Sequence, residues 1–328
     1  MKIQHVTNKD SIGILSCVEN LTRQLNDSGV DVDIKNWKNI NYFTKYDISH
    51  FHVSNSTRAI LLTLPFFRSR FKVITVHDII PRNKKIPIFA IKLMYIYMNV
   101  FANHFIVHSK FAKKLLLETA PFIHSNKIVV IPLGCNIVNH INTNALRYKY
   151  GYSMDSTIFS MVGYIKKSKG QIDVIEAFEK INHSSIKLLV IGKILDEESK
   201  NKIENLNCDT VEYLGFLDDQ KLFDYMELSD CLISYRFESV GESSGPMLIA
   251  IGMAKPILCS NCGSFPEIVE NSGIVVNNLF DLKEAITKLS DRNVRSKIIE
   301  FAKTHRDKYS WKSVSLEHMN LYDKMGRN

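Results

Sequence analysis

Short apolar runs alternate with longer segments of helical periodicity along most of this chain, and this alternation constrains its fold most strongly. Strands separated by helices predict right-handed βαβ units and parallel sheets. We expect ten strands, at residues 48–53, 73–76, 104–107, 128–131, 157–162, 186–191, 211–214, 231–234, 256–259 and 273–276. The clearest helical patterns cover residues 171–181, 197–206, 218–228 and 281–289.

A polar, Asn-rich stretch at residues 136–156 interrupts this pattern. The chain has 328 residues, and a domain commonly holds about 100–200 residues, so the interruption indicates two domains. We expect one α/β domain in residues 1–145 and a second in residues 146–310. Open parallel sheets bind ligands at the carboxyl ends of their strands, which predicts a cleft that both domains face.

Positive charge is concentrated in the first part of the chain. Residues 1–140 contain 18 Lys and Arg against 8 Asp and Glu, a net charge of +10, whereas the remaining residues have a net charge of −2. This indicates an anionic partner for the first domain, namely nucleic acid, a phosphorylated substrate or a membrane surface. Drift in a Lys- and Asn-rich composition is the alternative. With 45% hydrophobic and 23% charged residues, the composition excludes a disordered chain.

The sequence contains no pattern typical of a secretory signal, a membrane span or a metal site. The N-terminus lacks a basic region followed by an apolar stretch, and polar residues interrupt the most apolar long segment, residues 86–105. The six cysteines are expected to be reduced thiols, and Cys259 and Cys262 lack a second Cys or His pair at ligand spacing. We therefore expect a cytoplasmic protein, soluble or peripheral at a membrane, without a bound metal.

Residues 161–181 carry a pattern suited to binding phosphate. A strand ends at Gly163, and a loop with three lysines, among them Lys169, leads through Gly170 into a helix. The N-terminus of a helix offers unpaired N–H donors and a positive dipole end, which favour a phosphate group. A polar loop with solvated lysines is the alternative interpretation.

Residues 234–269 carry a second pattern of this kind. Arg236 follows a strand, and the small, polar turn at residues 241–245 leads into a helix that begins near Pro246. Glu242 is unusual beside an anion site unless it accepts hydrogen bonds from hydroxyl groups next to the phosphate, as in a sugar nucleotide. The alternative is that Glu242 only complements the helix dipole.

Both segments resemble the retaining glycosyltransferases of family 4, also called group 1 glycosyltransferases. The first is similar to the family pattern G-R/Y/F-x-x-x-x-K-G-x-x-x-x-I-E-A, which here begins at Gly163 and ends at Ala177. The second resembles R-Y-P-x-x-G-E-T/S-S-G followed by L-x-A-x-x-x-G-K-P-V-I. Its matching residues are Arg236, Gly241, Glu242, Ser243, Ser244, Gly245, Leu248, Ala250, Lys255 and Pro256.

The rest of the chain resembles the same family in the correct order. Residues 73–78 are similar to its strand ending in T-x-H-D, residues 105–111 to its I-V-x-S-x-F turn, and residues 131–134 to its I-P-x-G segment. Tyr309-Ser310-Trp311 resembles the start of its final helix. The resemblance implies a GT-B fold, in which two Rossmann-like doubly wound domains face a central cleft. A C-terminal helix in residues 311–328 then crosses back to the first domain.

The resemblance also implies roles for individual residues. The implied catalytic residues are His77, Glu242 and Lys169. The implied donor-binding residues are Gly13, Gly163, Lys169, Arg236, Glu242, Ser243, Ser244 and Gly245. Lys169 and the helix after Ser243-Ser244 would hold the diphosphate of the donor and stabilise the departing nucleoside diphosphate. Glu242 would contact hydroxyls of the transferred sugar, and His77 would lie near that sugar and the acceptor.

Two positions depart from the family pattern. Tyr164 stands where the family usually has an arginine, so the positive charge of that arginine is missing here. We expect Arg236 to supply it. Ile249 stands where the family has a glutamate that binds the ribose of the nucleotide, and an apolar side chain cannot accept hydrogen bonds from ribose hydroxyls. The resemblance implies transfer without a metal or other cofactor, in which a helix dipole and a lysine bind the diphosphate.

The function implied is transfer of a sugar, with retention of configuration, from a UDP- or GDP-linked donor to a lipid-diphosphate-linked saccharide in bacterial surface polysaccharide synthesis (O-antigen, capsule or exopolysaccharide). Basic residues beside the apolar segment 86–105 suit such an acceptor and an anionic membrane surface. The predicted acceptor and membrane residues are Arg68, Arg70, Lys72, Arg82, Lys84 and Lys85. A location on the inner face of the cell membrane would follow.

Three other functions stay open. Tyr164 and Ile249 favour a catalytically silent glycosyltransferase-like subunit that binds sugar or a partner. A GT-B epimerase of sugar nucleotides is possible, but we find no carboxylates placed for its acid–base chemistry. Nucleic-acid binding is suggested by the charge alone and ranks last, because the basic residues lack interleaved base-stacking aromatics in a known module.

Overall fold

Each of two units of the chain builds one six-stranded parallel sheet with helices between its strands, as the alternation in the sequence predicts. The computed structural model describes residues 1–8, 11–40, 43–54, 58–82, 85–139, 142–181 and 183–327. The first unit comprises Met1–Gly134, Val240–Ser243 and Tyr309–Asn328, and the second comprises Cys135–Ser239 and Ser244–Lys308.

The first unit begins with six strands and three helices. The strands are β1 Lys2–Thr7, β2 Asp31–Asn36, β3 Ile48–Val53, β4 Phe71–Val76, β5 His104–Val107 and β6 Ile128–Val130. The helices are α1 Ile12–Asp27, α2 Ile88–Phe101 and α3 Lys110–Thr119. The strand order across the sheet is β2-β1-β3-β4-β5-β6.

The second unit has the same plan with more helices. Its strands are β7 Thr157–Val162, β8 Ile186–Ile191, β9 Val211–Gly215, β10 Cys231–Ser234, β11 Ile257–Ser260 and β12 Gly273–Val276. Its helices are α4 Thr143–Tyr150, α5 Gln171–Glu179, α6 Glu197–Glu204, α7 Asp219–Leu228, α8 Gly245–Gly252, α9 Phe265–Val269, α10 Leu279–Ser290 and α11 Arg292–His305. The chain ends in α12 Trp311–Arg327, which belongs to the first unit.

The second sheet has the order β12-β11-β10-β7-β8-β9, so the chain builds it outward from β7 in both directions. This is the doubly wound arrangement of Rossmann-like domains. The predicted α/β class with two doubly wound domains is therefore confirmed.

The ten predicted strands and four predicted helices are all present, with bounds within two residues of those expected. Two strands, β1 and β2, were not predicted. In β1 the buried residues include Gln4, His5 and Thr7, which interrupt the apolar run that marks a buried strand. Gln4 Nε2 donates to Ser49 Oγ at 2.8 Å, which offsets the cost of burying its amide.

The first sheet is covered on both faces. Phe51 and Ile74 belong to the apolar cluster on the side of α2 and α3, whereas Ile3 and Ile48 belong to the cluster that includes Tyr322 of α12. Residues at alternate positions along a strand share a face, so the odd-numbered residues of β1 and the even-numbered residues of β3 face α1 and α12. Among the described residues, no helix is both long and apolar enough to cross a membrane.

One buried arginine holds together the start of the second unit. Arg147, which is 4% exposed, donates from Nη2 to Asp230 Oδ2 at 2.5 Å, from Nε to the Leu228 carbonyl at 3.1 Å and from Nη1 to the Ser156 carbonyl at 2.9 Å. Asp230 Oδ2 also accepts from the Ile158 N–H at 2.8 Å. The guanidinium therefore joins α4 to the starts of β7 and β10.

We expect Arg147→Met to destabilise the second unit by about 3–5 kcal/mol, because the Asp230 carboxylate and several carbonyls lose the buried guanidinium that donates to them. The matched control is Lys149→Met on the same helix. Lys149 also pairs with a carboxylate, Asp224 at 2.8 Å, but its side chain is 58% exposed, so its loss should change stability little. Urea unfolding followed by far-UV circular dichroism measures both, and equal midpoints for the two variants would contradict this role for Arg147.

Candidate functional site

A cavity of about 320 Å³ lies in the second unit at the carboxyl ends of its central strands. Its walls come from residues at the ends of β7, β8 and β10 and at the start of α8. The chain order reverses between β7 and β10, and ligands of open parallel sheets bind at such a reversal. The cavity brings together four of the predicted donor-binding residues, namely Gly163, Lys169, Arg236 and Ser244.

The loop between β7 and α5 is shaped by two glycines. Gly163 has φ +135° and Gly170 has φ +72°, backbone conformations that favour glycine. A Cβ atom at Gly170 would lie 2.7 Å from Cδ1 of Tyr235, so the ring packs directly on this backbone. Lys169 Nζ lies 5.8 Å from the ring centre of Tyr164, within the range of a cation–π contact. The loop thus places a cation in the wall of the cavity.

The opposite wall of the cavity is formed by Arg236 and the start of α8. The Arg236 N–H donates to Ser260 Oγ at 2.9 Å, and Ser260 Oγ donates to the Arg236 carbonyl at 2.8 Å. The guanidinium lies 4.7 Å from the ring centre of Phe265. Ser244 occupies the N-cap position of α8. Within the described part of the chain, its hydroxyl accepts no hydrogen bond from an N–H group of this helix. The first N–H groups of a helix have no partners within the helix, so a cation and N–H donors line this wall.

Glu242 and Ser243 belong to the first unit by their contacts. Glu242 Oε2 accepts from the Val240 N–H at 2.8 Å, and Oε1 lies 3.8 Å from Arg82 Nη2. The same Arg82 nitrogen lies 3.5 Å from Asp78 Oδ1. A backbone N–H and an arginine that we predicted as part of the acceptor surface therefore hold the Glu242 carboxylate.

His77 lies just after β4 in a row of histidines in the first unit. Its Nδ1 is 3.2 Å from His108 Nε2, and its Nε2 is 3.4 Å from His52 Nδ1. Desolvation, with a smaller effect from His108, lowers the pKa of His77 well below its ordinary value. The imidazole is therefore neutral near pH 7 and offers hydrogen bonds rather than a positive charge.

The other predicted residues lie in several places. Gly13 lies in the first turn of α1, not in a loop. Ile249 lies within α8, half-buried, and is not among the residues that line the cavity. Of the basic residues predicted for the acceptor surface, Arg68, Arg70, Arg82 and Lys85 are exposed and Lys72 is half-buried. Lys84 lies outside the described residues.

The family model described as "Glycosyl transferases group 1" matches residues 142–305. The match covers half of the chain and includes every residue that lines the cavity. The chain belongs to the group 1 glycosyltransferases.

Solved structures similar to this group 1 glycosyltransferase share its GT-B fold. HepE of Anabaena in complex with UDP and glucose has a TM-score of 0.78 at 15% identity, covering 99% of this chain and 100% of HepE. Sucrose-phosphate synthase of Thermosynechococcus elongatus has a TM-score of 0.80 at 15% identity, covering 100% and 99%. WaaG, a glycosyltransferase involved in lipopolysaccharide biosynthesis, has a TM-score of 0.67 at 16% identity, covering 98% and 99%. No curated protein sequence is a significant match to the chain.

Several residues that line the cavity of this glycosyltransferase were not predicted, among them Gln171, Gly192, Lys193 and Phe216. Gln171 Nε2 donates to the Tyr164 carbonyl at 2.9 Å and so fixes the start of the lysine loop. The others follow β8 and β9, whose ends were predicted to within one residue. The sequence could therefore have indicated these residues, because residues that directly follow neighbouring parallel strands lie at the same edge of the sheet.

We expect Gly192→Ala to distort the cavity of this glycosyltransferase. Gly192 has φ +148°, and a Cβ atom there would lie 2.0 Å from the Gly163 carbonyl oxygen. The substitution should cost on the order of 3 kcal/mol or more of unfolding free energy. Gly215→Ala is the matched control, because Gly215 has φ +71° but open space around its Cα, so only the backbone cost of about 1–2 kcal/mol applies. Urea unfolding compares them, and an equal loss in both variants would contradict the close contact.

Proposed function

We propose that this protein transfers a sugar, with retention of anomeric configuration, from a nucleotide sugar to a saccharide carried on a lipid diphosphate. The product would be a bacterial surface polysaccharide, such as O-antigen, capsule or exopolysaccharide. The observation that carries the proposal is the cavity between the ends of β7 and β10, whose lining includes Lys169, Lys193, Arg236 and a helix N-terminus.

The cavity suits the two halves of a nucleoside diphosphate. Lys169, Arg236 and the first N–H groups of α8 offer positive charge and donors for a diphosphate. Phe216, Leu217 and other apolar residues offer a surface for a nucleobase. The complexes of HepE with UDP and with UDP-glucose support a nucleotide-sugar donor by analogy of fold, and we propose that the nucleotide is UDP or GDP. We propose that these protein groups, rather than a metal ion or other cofactor, bind the diphosphate.

The proposed reaction exchanges one bond at the anomeric carbon. The bond from that carbon to the diphosphate oxygen breaks, and the acceptor hydroxyl oxygen bonds to the carbon on the same face. The acceptor proton passes to the departing diphosphate, so the products are a lengthened saccharide and a nucleoside diphosphate. Lys169 and Arg236 would stabilise the negative charge that develops on the leaving group.

The proposed catalytic set also includes Glu242 and His77. Glu242, with Oε1 and Oε2 held by Arg82 and the Val240 N–H, would accept hydrogen bonds from hydroxyls of the transferred sugar. His77, neutral at pH 7, would lie near the transferred sugar and the acceptor rather than act as an acid. Glycosidases that retain configuration place two carboxyl groups about 5–5.5 Å apart, whereas this set has one carboxylate.

A catalytically silent glycosyltransferase-like subunit is the second candidate, and Ile249 favours it. The family position that binds ribose is apolar here and lies outside the cavity lining. This candidate predicts nucleotide binding without turnover for every sugar nucleotide and lipid-linked acceptor tested.

We expect Lys169→Ala to lower transfer at least about 100-fold, since one charged hydrogen bond to a developing anion is worth roughly 3 kcal/mol. The matched control is Lys167→Ala in the same loop, whose Nζ pairs with Glu198 at 2.7 Å on the surface. Release of nucleoside diphosphate from a panel of UDP- and GDP-sugars measures turnover. Donor-induced shifts in Tm measure binding separately. Equal activity of the two variants would contradict the assignment of Lys169.

Glu242→Ala should abolish transfer and leave the shift in Tm on adding the nucleotide largely intact, because the proposal places this carboxylate on the sugar and not on the nucleotide. Turnover in the same assay tests this. Full activity of the variant would remove Glu242 from the catalytic set.

An exposed apolar stripe on α2 supports contact with a membrane. The stripe consists of Phe89, Leu93, Ile96 and Val100, which recur at helical spacing and are 46–73% exposed. The opposite face of α2 is buried, as expected for a helix packed on the first sheet. Helices whose apolar side chains face solvent beside basic residues bind at the bilayer interface. The stripe therefore suits an anionic membrane leaflet, because residues 1–140 have a net charge of +10 and exposed cations lie in the same unit. These cations include Arg68, Arg70, Lys85 and Lys92.

We expect Phe89→Ser with Val100→Ser to reduce binding to phosphatidylglycerol vesicles about tenfold or more, because each change removes about 1 kcal/mol or more of apolar transfer energy. Phe280→Ser is the matched control, since Phe280 is 72% exposed but lies in the second unit. Co-sedimentation with vesicles at low and high salt measures the binding. Equal binding of the control and the double variant, or no binding by the unaltered chain, would contradict a membrane-facing α2.

A further inference from the structure

Three histidines lie side by side on one face of the first sheet. His50 and His52 are two positions apart on β3 and therefore point to the same face. His5 of the neighbouring strand β1 pairs with His50 in register. The three side chains are 0–3% exposed, and one imidazole nitrogen of each lies within 4.8 Å of one from each of the others.

We propose that His5, His50 and His52 form a binding site for one divalent transition-metal ion of the zinc class. The site would stabilise the first unit and is separate from the diphosphate cavity, which belongs to the second unit. Imidazole nitrogens are ligands that Zn²⁺ and Co²⁺ prefer. A His-x-His pair on one strand with a third histidine across the neighbouring strand presents three such nitrogens from a rigid support.

Hydroxyl groups orient two of the three rings. Thr22 Oγ1 lies 2.9 Å from His5 Nδ1, and Thr75 Oγ1 lies 2.6 Å from His50 Nε2. The opposite nitrogens, His5 Nε2 and His50 Nδ1, lie 3.3 Å and 2.7 Å from the Tyr322 hydroxyl. Metal-ligating histidines commonly have their second nitrogen fixed in this way. The Tyr322 hydroxyl therefore lies next to both of these ring nitrogens.

The orientation of the third ring follows from a chain of hydrogen bonds. His108 Nδ1 lies 3.0 Å from the Ile131 carbonyl, which can only accept, so this nitrogen carries the proton. His108 Nε2 then accepts from His77 Nδ1, and His77 Nε2 accepts from His52 Nδ1. Because each neutral imidazole has one proton, His52 Nε2 is left with a lone pair. That is the state in which a nitrogen binds a metal ion.

The three imidazoles are in the neutral form that a metal requires. Burial, with a smaller effect from His318, lowers the pKa of His5 to about 3. Burial also lowers the pKa of His50 and of His52 well below the ordinary value. A Zn–N distance is about 2.0–2.1 Å, so the nitrogens would move together by roughly 1 Å on binding. A cavity of about 20 Å³ beside His52 offers room for such movement or for one water molecule.

The test uses the full chain, first stripped with a chelator and then dialysed against Zn²⁺ or Co²⁺. We expect about one equivalent of metal after removal of unbound ions, measured by mass spectrometry of the elements. The Co²⁺ form should absorb visible light as a low-coordinate complex with nitrogen ligands. Saturating Zn²⁺ should raise Tm by about 5 °C, and the chelator should reverse the rise. These readings need no variant.

A pair of variants locates the metal. His52→Gln should reduce bound metal to below about 0.2 equivalents. His318→Gln is the matched control, because His318 is also buried in the first unit, with its ring centre 5.8 Å from that of His50, but lies outside the proposed set. Circular dichroism checks that both variants are folded.

Three results would overturn the proposal. The first is less than about 0.2 equivalents of metal on the unaltered chain together with no change in Tm. The second is metal retained fully by folded His52→Gln, and the third is an equal loss in both folded variants. Any of these would make the three histidines a hydrogen-bonded polar network without a metal.

Discussion

Both sheets are entirely parallel, and the position of every functional residue depends on that constraint. A parallel strand cannot be joined to its neighbour by a tight turn, so each connection crosses a face of the sheet and each carboxyl end opens on the same edge. In the second sheet the direction of construction reverses between β7 and β10. The loops that carry Lys169 and Arg236 line the cavity at this reversal.

The sequence predicted the fold closely wherever a buried strand is a continuous apolar run. The bounds of β8, Ile186–Ile191, were predicted to the residue because five of its six residues are apolar and buried. β1 was missed because its burial depends on side-chain partners elsewhere in the chain, such as Ser49 for Gln4 and Thr22 for His5. Such pairings are tertiary, so local periodicity cannot reveal them.

The candidate site could be predicted from the sequence only where local spacing determines a residue's position. Lys169, Arg236 and Ser244 stand at fixed spacings from a strand end or a helix start, so the local pattern placed them. Gly192 and Phe216 enter the cavity only because β8 lies beside β7 and β9 lies beside β8, which is a property of strand order. The pattern also includes Lys255, whose buried Nζ donates to the carbonyls of Glu227 and Ser229 and therefore supports the fold. A motif match alone does not separate such a residue from a ligand-binding one.

The central claim is that the second unit binds the diphosphate of a nucleotide sugar at the β7–β10 reversal. The most direct measurement is a crystal structure of the chain with UDP or GDP bound. The account predicts that the diphosphate lies within hydrogen-bond distance of Lys169 Nζ and of N–H groups in the first turn of α8. A diphosphate held at any other place, with this cavity left to solvent, would contradict the account.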